Sequence, residues 1–384
     1  MSSSVQTPPA GPVLAPDPPP PDRSSGPGRV LLRLAGVVLV PVVTAVILWS
    51  TLDFLRNEDA NRFLVVGVAL VVGVLGVFFL FWSMNRLVEW LPARFREGAR
   101  PYVFVGPALV ILSVFLIYPV INTILISFKD AQSQDFTGLD NYRFVFTDDS
   151  MLRAIRNTAG WIVLVPLVAV TIGLVFATLA DRLRRGEAVA KSLIFLPMAI
   201  SFVGAAVVWR FMYSFRPDGF GTNIGLLNAI KQGLGQDPVP WLQQKPWNNL
   251  MLMVIMVWMQ TGFAMIVLSA AIKAIPDEIV EAARIDGASE WRVFRHITIP
   301  TIFPTVVVVT TYMVINALKV FDIVFVMGNA EAQGTEVIAE RMIRWFFIGD
   351  HNGRGAAIAV VLFLAVIPVM IWNVRRFREQ ESIR

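Results

Sequence analysis

Cysteine is absent from the 384 residues, histidine occurs twice, and charged residues make up only 16%. Without cysteine there is no disulfide framework and no thiolate metal site. His296 and His351 lie on opposite sides of the predicted membrane, so no histidine pair can build a metal site either. A Gly-x-x-x-x-Gly-Lys-Ser/Thr phosphate loop is missing, which excludes ATP hydrolysis by this chain. Asp and Glu are missing from the long apolar stretches, and that argues against a proton-coupled secondary transporter, which relays protons through intramembrane carboxylates.

What is abundant is apolar surface. Hydrophobic residues make up 55% of the chain, aromatics 11%, and the mean hydropathy is +0.63. A membrane-crossing helix takes about 20 predominantly apolar residues. Uncharged stretches of that order occur at Ala35–Leu52, Phe63–Met84, Pro101–Phe128, Thr158–Ala180, Ser192–Trp209, Pro246–Ile272, Ile297–Leu318 and Gly355–Val374. The fifth is expected to continue past Arg210 through Tyr213. The fold class is therefore an all-α polytopic membrane protein with eight transmembrane helices. Residues 1–29 hold nine prolines and almost no large apolar side chains, so they read as a disordered Pro/Ser-rich tail and not as a cleavable signal. Residues 30–100 carry two N-terminal helices and a linker, and 101–384 form the core.

Lys and Arg set the orientation. With eight spans and the N-terminus inside, the cytoplasmic segments collect 19 of the 33 basic residues, so both termini are cytoplasmic. The net charge of +5 follows this topology, and no nucleic-acid partner is implied. Two outer loops, 129–157 and 216–245, are long enough for structure of their own. A third outer stretch, Thr335–Phe347, mixes Val337, Met342, Trp345 and Phe346 with Glu and Arg. It reads either as an amphipathic helix in the membrane interface or as an ordinary connecting helix.

The most informative segment is the cytoplasmic loop 275–300 between spans six and seven. Pro276 followed by Asp277 and Glu278 opens a helix, with negative charge at the positive end of its dipole. Ala282 and Ala283 favour helix and leave a low profile, and Gly287 permits the left-handed turn that ends it. Ser289 can cap a second short helix with Trp291, Phe294 and Ile297 as its apolar stripe, and Pro300 is expected to open span seven. On physics alone, this hairpin is either a routine amphipathic loop or a docking element.

The segment resembles the coupling loop of binding-protein-dependent ABC importer permeases, whose pattern is Glu-Ala-Ala, three residues, Gly, nine residues, Ile, one residue, Leu-Pro. Here Glu281, Ala282, Ala283, Gly287, Ile297 and Pro300 stand at those spacings, with Ile299 in place of Leu. The resemblance implies a type I importer core of six helices after the two N-terminal ones, in the bacterial cytoplasmic (inner) membrane. It implies that Glu281, Ala282, Ala283, Asp286, Gly287, Ile297 and Pro300 couple the chain to a separate ATPase. Glu281 would pair with a basic ATPase residue. The implied partners are a second permease subunit, two ATPase subunits docking on 275–300, an extracytoplasmic binding protein, the sugar and membrane lipid. ATP and Mg belong to the ATPase, and no cofactor is bound by this chain.

Within that family, Gly138–Arg143 and Ala317–Asp322 are similar to segments of carbohydrate-uptake permeases, and the eight spans resemble the larger permease of maltose-type importers. The resemblance implies an α-glucoside such as maltose or trehalose, with glycerol phosphate or another oligosaccharide as the alternative. It places Met259, Gln260 and Phe263 in span six, and Met313 and Asn316 in span seven, opposite sugar-contacting positions, against the competing reading of ordinary helix packing. Arg210, Lys319 and Asp322 read as charges near span ends, with Lys319 and Asp322 at helical pairing distance.

Overall fold

A computed structural model describes residues 61–90, 93–183, 185–217 and 224–381, with isolated positions between 42 and 56. The tail 1–29, and most of the stretch Ala35–Leu52, lie outside the described residues. The chain divides into two compact units, Met1–Tyr118 and Pro119–Arg384.

In the first unit, α1 (Arg62–Trp90) and α2 (Ala93–Leu112) pack through Phe81 and Phe104, whose rings stack at 6.3 Å. Arg96 Nη2 donates to the Glu89 carbonyl at 2.7 Å, linking the end of α1 to the start of α2. The helix then passes through a π turn, Ser113–Ile117, into α3 (Tyr118–Ile126). Pro119 accounts for that widening, because its ring has no N–H and crowds the carbonyl four residues back.

The second unit continues with α4 (Asp140–Thr147), α5 (Asp149–Ala180), α6 (Glu187–Phe195), α7 (Phe202–Met212) and α8 (Leu226–Gly233). After α9 (Trp247–Lys273) come α10 (Asp277–Ile285), α11 (Glu290–Val293) and α12 (Ile299–Leu318). Three short helices, α13 (Asp322–Met327), α14 (Ala330–Gln333) and α15 (Ile338–Ile343), lead to α16 (Asn352–Glu381). Among the described residues there is no strand, only an isolated bridge between Lys129 and Phe136.

Among the described residues six helices are long and apolar enough to cross a membrane, and a bent pair would add a seventh. That pair covers the stretch Ser192–Trp209 and its continuation to Met212, and it is broken where the sequence showed one apolar run. A short 3-10 segment, Leu196–Ala199, separates α6 from α7, and the two arms are bent by 99°. Pro197 lies in the break, and Ser201 restarts the helix by accepting from the Gly204 N–H at 3.0 Å. Apolar composition alone cannot report such a break.

At the centre is α9, with 56% of its most apolar window buried. Its contact with α5 is made by small residues: an ideal Cβ on Gly173 would lie 2.5 Å from the Ala264 Cβ and 3.0 Å from the Met265 nitrogen. Small residues let helix backbones approach where lipid offers no hydrophobic drive between helices. Towards one end, Trp161, Ile255, Met256, Ile323 and Val324 form an apolar core; towards the other, Ala169, Met265, Leu268, Ile302 and Met313 form a second. The latter is the loop end of the unit, since it carries residues 275–300.

Candidate functional site

At the loop end, α10 starts behind Pro276 and runs to Ile285. It stops on a paired turn: the Gly287 N–H donates to the Arg284 carbonyl and the Ala288 N–H to the Ala283 carbonyl, each at 3.0 Å. Gly287 adopts φ +80°, a conformation that side chains disfavour. Ser289 Oγ then accepts from the Arg292 N–H at 3.4 Å, starting the next helix.

The second arm differs from the short separate helix expected. From Glu290 to Leu318 the chain forms one candidate span, in which α11 passes through a π turn, Phe294–Thr298, straight into α12. Pro300 therefore does not open the span; it falls just after the widened turn that relieves it, as Pro119 does in α3. The buried side of this arm is Val293 and Thr298, while Trp291 is 67% exposed and Phe294 and Ile297 are half-buried.

Of the residues assigned to coupling, Glu281, Ala282, Asp286, Gly287 and Pro300 are exposed, and Ala283 and Ile297 are half-buried. Neither Glu281 nor Asp286 makes an ion pair among the described residues. The tip also carries Ile285, 86% exposed, and Ile279, 49% exposed. Glu290 accepts from Arg284 Nε at 2.9 Å and Arg182 Nη2 at 3.4 Å, bridging α10, α11 and the end of α5.

The proposed sugar contacts are divided between the two cores, Met259 in the first and Met313 in the second. Met259 and Gln260 are buried in α9, and Met313 is fully enclosed in α12. Phe263 is half-buried and packs on the Tyr312 ring at 4.5 Å. Asn316 turns its Nδ2 to its own helix, bonding the Tyr312 carbonyl at 2.9 Å, and lines a small cavity with Phe202, Met256, Lys319, Val320 and Asp322. Thus Phe263 and Asn316 both meet Tyr312, whereas Met313 belongs to the α5–α9–α12 core. Phe202, Met256 and Tyr312 were not picked out from sequence, because only the bend between α6 and α7 brings Phe202 to this cavity.

Residues 169–375, more than half of the chain, match the family described as the binding-protein-dependent transport system inner membrane component. The chain belongs to that family. The permease is 55% identical over 282 residues to the osmoprotective compounds uptake permease protein GgtC of Synechocystis sp., covering 73% of this chain and all of that one. It is 45% identical over 322 residues to the alpha-glucoside transport system permease protein AglF of Rhizobium meliloti, covering 80% of this chain and 95% of the relative. Among solved structures it resembles a chain of a bacterial ABC transporter involved in the import of the acidic polysaccharide alginate. That likeness has a TM-score of 0.63 and 25% identity, and covers 73% of the permease and 97% of that chain. These relatives are transport components rather than enzymes.

At its far end the permease is closed by polar side chains bonded to backbone. Asn141, from the Gly138–Arg143 segment, donates through Nδ2 to the Ser127 carbonyl at 3.0 Å and the Lys129 carbonyl at 2.7 Å. Tyr142 shares a 2.7 Å hydrogen bond with Ser127 Oγ. In this permease that segment is thus a clamp on the chain leaving α3. Asn157 donates to the carbonyls of Gly334 and Glu336, both at 2.9 Å, and Thr158 Oγ1 accepts from the Ile338 N–H at 3.0 Å.

The first part of the stretch Thr335–Phe347, as far as Arg341, is buried against the rest of the permease, while Met342–Phe346 are half-buried and Phe347 is exposed. Glu336 and Glu340 are fully buried and Arg341 nearly so. Arg153 reaches Glu336 at 3.2 Å, Arg344 reaches Glu340 at 2.7 Å, and Arg341 joins Ser150 Oγ and Glu331. Its charged side faces protein because α5 supplies the partners. Lys319 and Asp322 form no ion pair among the described residues: α12 ends at Leu318 and a new helix starts at Asp322, so the helical spacing is broken. Asp148 caps α5 by accepting from the Ser150 and Met151 N–H groups at 3.0 and 3.2 Å. Burial pushes its carboxyl up, but these bonds, the Ser150 hydroxyl and the Arg341 charge outweigh burial and hold it below its ordinary value.

Proposed function

We propose that this permease is one of two membrane subunits of an ABC importer for α-glucosides, driven by an ATPase that docks on residues 275–300. In this reading it crosses the bacterial inner membrane eight times with both termini cytoplasmic, and residues 101–384 form the transport core. The observation that carries the coupling is mechanical. An exposed apolar tip, Ile279, Ile285 and Trp291, stands on a hairpin whose second arm continues without a break to Leu318. Apolar anchors in a partner's pocket supply most of the affinity, and charges beside them, here Glu281 and Asp286, set register. A push on the tip is delivered along α12 to Asn316, near the far end of the same helix.

The α-glucoside assignment is supported by the 45% identity to AglF across 95% of its length. The cavity around Asn316 suits a sugar, offering an amide and the Phe202 ring for hydroxyl and C–H faces. A second reading, uptake of small osmoprotective compounds, is favoured by the 55% identity to GgtC. A panel of maltose, trehalose, sucrose and small osmolytes, presented with the cognate binding protein, separates the two by stimulation of ATP hydrolysis in the reconstituted complex. Stimulation by none of the α-glucosides sinks the first reading. Gln260→Ala with Asn316→Ala is expected to abolish stimulation, and an unchanged response removes the proposed sugar site.

A further inference from the structure

Four charged side chains and a serine gather at the loop end, beside the coupling hairpin but outside its sequence pattern. Lys191 Nζ, 13% exposed, donates to Asp181 Oδ1 at 2.5 Å and to Glu187 Oε1 at 2.7 Å, and also contacts Ser269 Oγ. Ser269 Oγ donates to the same Asp181 oxygen at 2.7 Å. Lys273 contacts Glu187 Oε1 and lies 3.9 Å from Asp181 Oδ1. Asp181 Oδ2 is buried and has no hydrogen-bond partner, so the carboxylate relies on Lys191 and Ser269 through one oxygen.

The members come from three elements. Asp181 ends α5, Glu187 and Lys191 belong to the first arm of the bent pair, and Ser269 and Lys273 form the last turns of α9. Ile275, two residues after Lys273, starts the hairpin. The hairpin thus has two outlets for a mechanical push: directly along α12, and sideways from the end of α9 into α6, through Lys273 to Glu187 and through Ser269 to Lys191. The inner pair of this cluster, Lys191 and Asp181, is only 13% and 12% exposed and resists separation, because breaking it strands a buried charge; the outer tie from Lys273 to Glu187 is wetter and weaker. The 99° bend lies at the far end of α6, so a displacement of α6 acts on that break and on the α7 arm that carries Phe202.

We propose that Lys191 is a positioning residue that binds α6 to the ends of α5 and α9, the latter leading directly into the coupling hairpin, so that α6 moves with the hairpin during the ATPase stroke. This rests on the reading of 275–300 as the ATPase dock, and the experiment separates the two. The chain has no cysteine, so Val189→Cys on α6 and Glu278→Cys on α10, both exposed, accept spin labels without further changes. The distance between them is measured in the whole complex, nucleotide-free and trapped with ATP and vanadate.

The expected result is one distance in both states. Lys191→Met should broaden or shift it between states, and Lys191→Arg should restore the single distance. A spin-label distance that changes with nucleotide in the otherwise unaltered protein, or one that ignores Lys191→Met, overturns the proposal. If the Lys191→Met complex does not assemble, Lys273→Met, which removes the half-exposed tie to Glu187 and the longer one to Asp181, takes its place under the same criterion. Failure of the ATPase to co-purify with the unlabelled permease instead refutes the docking reading itself, and the inference with it.

Discussion

Gly262 of α9 lies directly against the backbone of the bent pair: an ideal Cβ there would stand 2.5 Å from the Ile194 carbonyl oxygen and 2.7 Å from the Phe195 Cα. The break between α6 and α7 is therefore seated on a glycine, at a place where neither neighbour is a side chain that can swing away. Gly262→Ala is expected to destabilise the permease by about 1–3 kcal/mol through overpacking. Thermal unfolding in detergent reads the loss, and an unchanged midpoint means that the two backbones do not meet as described.

The α5–α9 contact makes a paired prediction. Gly173→Ala places its methyl against that of Ala264 and should lower the unfolding midpoint. Adding Ala264→Gly should recover part of it, and only part, because the Met265 nitrogen remains 3.0 Å from the new Cβ. Two substitutions that simply add would show the contact to be absent.

Asn141 is predicted to act through stability rather than through sugar. Asn141→Ala leaves the Ser127 and Lys129 carbonyls without its amide, a loss of about 1–3 kcal/mol. Substrate affinity in correctly folded complex should not move. A changed sugar preference at unchanged stability would assign the segment to recognition instead.

Ile285→Glu should do the reverse. The side chain is 86% exposed, so the isolated permease should change by less than about 0.5 kcal/mol. Co-purification of the ATPase should nevertheless fall sharply, since a charge replaces the apolar tip. Retention of the ATPase at the wild-type ratio contradicts docking at this tip.

Asp148 gives a pH dependence. Its folded-state carboxyl is held below its ordinary value, so its contribution is present above the unfolded pKa, about 3.9, and is lost as pH falls through the lower folded value. Asp148→Asn should lower the unfolding midpoint at pH 7, and the gap to the unaltered protein should close on acidification below about pH 4. A gap that widens in acid reverses the assigned sign.

What the sequence determined by itself was what local composition can carry: the apolar helices, the hairpin from Pro276 to Ser289, the left-handed Gly287 and the family that this loop announces. Each depends on neighbours a few residues away. The bend over Gly262, the continuity of Glu290–Leu318 and the burial of Glu336, Glu340 and Arg341 were decided only in the folded chain. A run such as Ser192–Trp209 has the same hydropathy straight or bent, and the backbone of α9 selects the bend. A stretch such as Thr335–Phe347 has the same amphipathic pattern facing lipid or facing Arg153 and Ser150, which stand about 180 residues earlier in the chain and beside it in space. Polar side chains go where partners offset their desolvation, and partners that distant are set by the packing of whole helices.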